Sequence, residues 1–252
     1  MWKKKKTPQE VLEKREKSEI RKYFDDKPSG VFVEVGAYEP LSVCSQSWHL
    51  EDRLKWRGLL VEPNPVLAGK ARSARPGSTV CECACTSPDK KGEARLFIPL
   101  SDGKEISGHA SMEVNADDFN YNKHKTVDVK AVTLTSLLDE NNVTDVDLLS
   151  VDVEGTELDV LRGLDFDRFK PRLILLEDKH VYLQKHRFLK KLGYRLVKRT
   201  GLNCWYIPKG AKRPNQPFRE KARLLKRLYL SIWLKKIMYA ITHRTWKPFR
   251  VL

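Results

Sequence analysis

At Val31-Phe32-Val33-Glu34-Val35-Gly36-Ala37 the chain carries an apolar run that ends at a glycine. β-Branched and aromatic residues favour a strand, and the absence of turn formers inside the run predicts a central parallel strand covered on both faces. A glycine directly after such a strand allows the backbone to approach a ligand closely. The stretch predicts either ordinary α/β architecture or the docking turn of a nucleotide-like cofactor.

Two later stretches favour the cofactor. Residues 59–65, LLVEPNP, form an apolar run that ends at Glu62, far enough after Glu34 for one crossover helix. Residues 146–155, VDLLSVDVEG, form a third run that brings Asp152 and Glu154 to a glycine. An acid at the tip of the second strand can accept hydrogen bonds from ribose hydroxyls. Because ligands bind outside the carboxyl ends of parallel strands, all three stretches are predicted to face one crevice.

Together these motifs resemble the FkbM-type S-adenosylmethionine-dependent methyltransferases. The resemblance covers roughly residues 28–208 and rests on four ordered motifs: Glu34-Val35-Gly36-Ala37, Ser45-Gln46-Ser47, Glu62-Pro63-Asn64 and Asp152-Val153-Glu154-Gly155. Pro40 departs from the pattern, since many members have a second glycine there.

The resemblance implies S-adenosyl-L-methionine as cofactor. It also implies a set of cofactor contacts, in which Ser47 is the best hydroxyl contact. The N-terminal amides of the helix over 42–54 are expected to face the crevice and hold the carboxylate of the methionine moiety. The expected contacts are Glu34, Gly36, Ala37, Ser47, Glu62, Asn64 and Asp152.

The order of elements predicts an α/β fold with a doubly wound, Rossmann-like, mostly parallel seven-stranded sheet. Apolar runs alternate with helical stretches, including helices over residues 42–54 and 65–74 and a strand over residues 79–85. A helix and two final strands close the predicted domain. This ending resembles the methyltransferase version of the fold, with an antiparallel strand at the sheet edge.

Methyl transfer to oxygen needs an aligned nucleophile and a group that takes its proton. Asp152 and Glu154 are the first candidates, and strand alternation predicts that they point to opposite sides. They could instead bond the amides that open the next helix. Glu177 ends the following strand, and His109 lies in a polar loop over residues 101–125 that is predicted to be a lid or disordered. We take all four as candidate catalytic residues and leave the metal requirement open.

The formal net charge of +15 points to anionic partners. We divide the chain into a basic N-terminal helical extension (1–27), a methyltransferase domain (28–208) and a basic amphipathic C-terminal extension (209–252). Five cysteines without C-x-x-C spacing and the lack of a signal-peptide pattern predict a cytoplasmic protein.

The C-terminal extension contains the apolar run Leu228–Ile241, which is interrupted by Lys235 and Lys236 and is too short to span a bilayer. An amphipathic helix on the inner face of an anionic membrane is one interpretation. The other is packing on the catalytic domain or on a second subunit.

Three functions stay open at this point. The first is O-methylation of a sugar hydroxyl on a lipid-linked or cell-surface glycan, an acceptor that the resemblance and the tail imply. The second is methylation of RNA, with the basic termini contacting phosphates. The third is a non-catalytic protein that retains the fold and binds membrane or nucleic acid.

Overall fold

The computed structural model describes residues 7–42, 44–112, 123–178 and 183–226. The whole apolar run at 228–241 therefore lies outside the described residues, as do residues 113–122 of the predicted lid. No helix within the described ranges is both long enough and apolar enough to cross a membrane.

Seven α-helices are described. They are α1 (Pro8–Tyr23), α2 (Trp48–Leu54), α3 (Pro65–Ala74), α4 (Leu134–Glu140), α5 (Glu157–Arg162), α6 (Leu183–Lys191) and α7 (Phe218–Leu225).

The described residues form eleven strands. They are β1 (Val31–Val35), β2 (Arg57–Val61), β3 (Thr79–Cys81), β4 (Ala84–Cys85), β5 (Gly92–Ser101), β6 (Lys104–Glu105), β7 (Lys123–Val132), β8 (Leu148–Val151), β9 (Leu173–Glu177), β10 (Tyr194–Thr200) and β11 (Asn203–Pro208).

The larger sheet has seven strands in the order β10-β11-β9-β8-β1-β2-β3. Within this sheet β9, β8, β1, β2 and β3 pair in parallel with their neighbours. β11 pairs antiparallel with both β9 and β10. The prediction of an α/β fold with a large, mostly parallel sheet is confirmed. The predicted position of the antiparallel strand is wrong: β11 lies inside the sheet, and the edge strand β10 runs with the parallel set. A tight turn joins β10 to β11, and β11 pairs with β9. β10 is therefore left at the edge of the sheet.

The strand predicted over residues 79–85 is also corrected, because the structure divides it between two sheets. β3 pairs with β2 in the larger sheet, whereas β4 pairs with β7 in a four-stranded sheet of order β4-β7-β5-β6. The smaller sheet holds its own apolar cluster around Leu96 and Ile98. It stands beside the carboxyl ends of the main strands and supplies a wall of the crevice described below.

β1 lies in the middle of the larger sheet and is covered on both faces, as its sequence predicts. Val33 and Val35 belong to the apolar cluster on one face, and Phe32 belongs to the cluster on the other. All three side chains are buried. Continuous apolar sequence in β1 therefore reflects two covered faces.

The N-terminal helix packs on the sheet. Its Thr7 cap forms a capping box with Glu10, which explains why the helix begins at Pro8. On the buried side, Glu16 accepts hydrogen bonds from the Trp205 indole N–H at 2.9 Å and from the Asn203 amide at 2.8 Å. These bonds fix α1 to β11. Withdrawal of Glu16 from water raises its pKa to about 7, against the lowering effect of those two donors.

Candidate active site

A pocket of about 520 Å³ opens at the carboxyl ends of β1, β2, β8 and β9. Its lining includes Gly36, Glu62, Asp152, Glu177 and His109, together with residues of the smaller sheet. The structure thus brings the three strand-end motifs to one crevice, because parallel strands end at the same edge of the sheet.

Glu34 holds the loop that follows β1. Its carboxylate accepts hydrogen bonds from the Ser45 hydroxyl at 3.0 Å, the Gln46 amide at 2.6 Å and the Ser47 amide at 3.3 Å, and a short bond from the Ser47 hydroxyl. The predicted helix over 42–54 therefore starts only at Trp48, since residues 45–47 wrap around this carboxylate. Glu34 lines the pocket, but both of its oxygens already bind the loop.

Arg75 completes this network and was missed from the sequence. Its fully buried guanidinium donates to the Ser47 hydroxyl at 2.9 Å and lies 2.6 Å from a Glu51 oxygen. It also stands over the rings of Phe32 and Trp48, 5.2 and 5.6 Å from their centres. A lone arginine after α3 carries no local signal for this role. The guanidinium offsets the charge of the buried Glu34 carboxylate, which would otherwise be costly, and that of the half-buried Glu51.

Glu62 joins two loops at the second strand end. One oxygen accepts the Tyr38 amide at 2.8 Å and the other accepts the Asn64 amide at 2.9 Å. Burial raises the pKa of Glu62, while these two backbone donors act to lower it. Each oxygen keeps a second lone pair for a hydroxyl donor.

Ser47 and Asn64 lie behind the crevice. Neither side chain is among the residues that line the pocket, and both are buried. The Ser47 oxygen is engaged with Glu34 and Arg75, and the Asn64 side chain accepts the Val66 amide at 3.0 Å to cap α3. Direct contacts of these two residues with a cofactor stay predictions, and the structure gives each an intramolecular partner.

Gly36 is required by the neighbouring strand. Its φ is 85°, and a Cβ at this position would lie 1.7 Å from the carbonyl oxygen of Asp152. The next residue, Ala37, donates its amide to Val61 at 3.1 Å and lines the pocket. The glycine therefore allows the ends of β1 and β8 to meet, in addition to any approach of a ligand.

Asp152, Glu154 and Glu177 converge at the third and fourth strand ends. One carboxylate oxygen from each lies within 4.8 Å of the others. The prediction that Asp152 and Glu154 point to opposite sides is wrong. β8 ends at Val151 and Glu154 has a left-handed φ of 54°, so strand alternation does not continue through the motif. The amide of Gly155 bonds to Glu157.

The crowding of these acids changes their chemistry. The Asp152 side chain is exposed at the pocket mouth, but protein atoms crowd its carboxyl group. This crowding, and then the charge and hydrogen bond of Glu177, raise the pKa of Asp152 well above the usual range, with further contributions from Glu154 and Glu157. Like charges this close cannot all remain uncompensated. The group could hold a proton, or its three oxygens could hold a metal ion.

His109 belongs to the described part of the loop over residues 101–125. Ile106 to Met112 all line the pocket. This segment is fixed at two points: the Ser111 hydroxyl donates to the Glu154 carbonyl at 2.9 Å, and Gly108 lies so near the Tyr38 ring that a Cβ would be 3.3 Å from it. The loop therefore forms a wall of the crevice.

Gln46 is a further residue that the sequence did not single out. It lines the pocket, its side chain is 8 % exposed, and within the described part of the chain its Oε1 has no hydrogen-bond partner. Its place between Ser45 and Ser47 in the second motif was the available signal. A buried acceptor without a partner is costly, so it is a candidate for a ligand donor.

In α/β proteins with a mostly parallel sheet, a pocket at the carboxyl ends of the strands is the usual place for a ligand. The sequence model of the methyltransferase FkbM domain matches residues 34–196, well over half of the chain. The chain therefore belongs to the FkbM methyltransferase family, and the predicted resemblance is confirmed.

Two solved structures are similar to the chain. One is a methyltransferase FkbM from Methylobacillus flagellatus, with 14% identity and a TM-score of 0.43, covering 71% of this chain and 43% of that one. The other is a precorrin-6y C5,15-methyltransferase from Geobacter metallireducens, with 14% identity and a TM-score of 0.42, covering 82% and 90%. The chain thus spans less than half of the Methylobacillus protein. No curated protein matches it.

Proposed function

We propose that the chain is an S-adenosylmethionine-dependent O-methyltransferase of the Rossmann-like, seven-stranded type. The observation that carries the proposal is the convergence of Glu62 and the Asp152–Glu154–Glu177 group in one pocket. A ribose-binding acid and a proton acceptor are the two functions that such a reaction asks of the protein.

The residues present fit the cofactor. Glu62 lies at the second strand tip with lone pairs left for ribose hydroxyls, and the unpartnered Gln46 oxygen can accept a donor. The pocket volume of about 520 Å³ lies within the range of small-molecule sites. S-Adenosylmethionine, when bound, supplies an electrophilic methyl group.

Asp152 is the residue we assign to the acceptor proton. Its raised pKa brings the carboxylate closer to the range in which a base both accepts a proton and exists in the basic form. Glu177 shares a hydrogen bond with Asp152, and the nearby Glu154 adds a like charge. His109, on the facing wall, is the second candidate.

We propose a sugar hydroxyl of a lipid-linked or cell-surface glycan as the acceptor. The support is the family resemblance and the basic, aromatic tail of the sequence. RNA methylation is the alternative. The division into a catalytic domain at 28–208 and two basic extensions likewise stays a prediction, as does a cytoplasmic location.

Glu62→Ala tests the cofactor assignment. In isothermal titration with S-adenosylhomocysteine, we expect this change to weaken binding by roughly 1 to 3 kcal/mol, because ribose hydroxyls lose a charged acceptor. Glu82→Ala is the matched control: this acid is exposed and pairs with Arg72 on the surface. Unchanged affinity in a folded Glu62→Ala protein would remove the ribose assignment.

A further inference from the structure

A second and larger cavity, of about 920 Å³, lies at the opposite end of the sheet from the β2–β3 edge. Its walls are α1, the edge strand β10, α6, and the segment 209–225 that includes α7. It shares no lining residue with the crevice. We call this cavity the basic pocket.

Its charge is strongly unbalanced. Among the described residues that line it, Glu19 is the only acid. The basic residues are Lys22, Lys190, Arg195, Lys198, Lys209, Lys212, Arg213 and Lys221. Crowded cations with so little compensation raise the local potential and attract anions.

Two of these cations, Lys198 and Arg195, are held by contacts within the protein. Lys198 is 2 % exposed and pairs with Glu19 at 2.7 Å. Arg195 donates to the Ala211 carbonyl at 2.6 Å, which ties β10 to the C-terminal segment. The Arg195 Nε is buried, and within the described ranges it has no hydrogen-bond partner. A buried guanidinium donor without an acceptor is a position where an anionic oxygen would be stabilised.

Other cations of the pocket are available to a ligand. Lys22, Lys190, Lys209, Arg213 and Lys221 are exposed, and none of them forms an ion pair with another described residue. Lys212 pairs with Asp25 at 3.4 Å, but both side chains are more than three quarters exposed, so this pair is weak.

The sequence after Glu220 contains no aspartate or glutamate up to residue 252. Apolar groups accompany the cations: Leu225 lines the pocket and is 48 % exposed, and Phe218 at the start of α7 is 83 % exposed. Cations beside exposed apolar side chains suit the surface of an anionic membrane.

We propose that the basic pocket binds the phosphate of an anionic phospholipid headgroup, and so docks the enzyme on a membrane through α1, β10 and the segment 209–225. Guanidinium and ammonium groups recognise phosphate oxygens by charge-assisted hydrogen bonds. The proposal is independent of the reaction in the crevice. It extends the membrane contact predicted for residues 212–252 to a surface that α1, β10 and α6 help to form.

The test uses the full chain and vesicle co-sedimentation. Vesicles that contain phosphatidylglycerol should bind the protein, whereas phosphatidylcholine vesicles should not. The combined variant Lys22→Gln, Lys190→Gln, Arg213→Gln and Lys221→Gln should bind phosphatidylglycerol vesicles about a hundredfold more weakly, since each cation near such a surface contributes several-fold.

A matched variant removes four charges elsewhere: Lys91→Gln, Lys104→Gln, Lys130→Gln and Lys170→Gln, all exposed. It should keep near-full vesicle binding, and both variants should keep the thermal unfolding midpoint of the parent. Equal losses in the two variants would show a non-specific charge effect and overturn the pocket assignment. Retained binding in the pocket variant would assign docking to another segment and would also overturn it.

Two further probes separate other sources of phosphate. Titration with inorganic phosphate or glycerol 3-phosphate should show weak binding that the pocket variant loses. If these soluble anions bind and the vesicles do not, the pocket is a site for a free phosphate ligand and the membrane proposal is wrong. If a short RNA binds through the same four residues and the vesicles do not, the partner is nucleic acid and the proposal is equally wrong.

Discussion

The two pockets differ in charge and in how the sequence encodes them. The crevice gathers three carboxylates from the ends of β8 and β9, within residues 152–177. The basic pocket gathers its cations from residues 22–221, almost the whole described chain. Adjacent parallel strands bring short motifs to one edge, so the first site can be seen in sequence. The second depends on how α1 and the C-terminal segment pack beside the edge strand, so no short motif marks it.

Asp152→Asn should have the largest effect on the crevice and none on the basic pocket. Loss of the proton acceptor should lower kcat by about 10² to 10⁴. In the parent, turnover should rise as pH rises through the raised pKa of Asp152, because only the carboxylate accepts the proton. This limb of the pH profile should disappear in the variant.

The four-charge variant of the basic pocket is the control for that experiment. It should keep the parent's kcat and pH profile with a water-soluble acceptor. If Asp152→Asn retains near-full turnover, the residue positions other groups, and His109 and Glu177 become the next candidates.

Gly36→Ala should damage the crevice through its backbone. The added Cβ meets the Asp152 carbonyl oxygen, so we expect a loss of roughly 3 to 4 kcal/mol in the free energy of unfolding, measured with urea. Gly103→Ala separates the clash from the strain of a positive φ, because Gly103 has φ 75° and open space around it. That control should cost only about 1 kcal/mol. Equal costs would mean that the contact with Asp152 is unimportant.

Glu16→Gln, on the helix α1 that lines the basic pocket, should change how the free energy of unfolding depends on pH. The pKa of Glu16 is about 7 in the folded protein, against 4.5 for an ordinary glutamate. The folded state therefore binds this proton more tightly than the unfolded state does. The protonated Glu16 adds to the free energy of unfolding below pH 4.5, and this stabilisation is lost as pH rises through 7. The loss is about 3 kcal/mol.

Thermal unfolding of the parent between pH 5 and 8 should show this decline, and Glu16→Gln should flatten it. Glu13 and Glu19 on α1, and Asn203 and Trp205 on β11, are the groups that face Glu16 or lie near it. Glu93→Gln, which removes one charge from an exposed position on β5, is a suitable control. An equal slope in parent and Glu16→Gln would assign the decline to other groups.

The smallest expected effect is that of salt on ligand binding, which should differ between the two pockets. Raising NaCl from about 50 to about 500 mM should weaken phosphatidylglycerol binding roughly tenfold, since exposed charges are screened. Binding of S-adenosylhomocysteine in the crevice should change by less than about twofold, because its contacts are buried. Loss of both in parallel would indicate that the protein unfolds or aggregates at high salt.

Several parts of the crevice could be predicted because they depend on local sequence. Valine-rich β1 forms a central strand, and Glu62 directly follows β2 and accepts a hydrogen bond from the Asn64 amide. Ser47 shows the limit of such reasoning. The family resemblance implies a cofactor contact for Ser47, but the buried Arg75 and Glu34 already engage its hydroxyl from outside its motif.

By itself the sequence determined the α/β class, the FkbM family and the basic character of the chain, because strand composition, motif order and net charge are properties of residues close together or of a sum. Only the tertiary structure decided that Asp152 and Glu154 meet and that Arg75 compensates the buried Glu34 and the half-buried Glu51. It also decided that β11 lies between β9 and β10, and that cations from distant segments line one cavity. Each of these depends on a backbone turn or on the packing of segments far apart in the chain, and side-chain periodicity encodes neither.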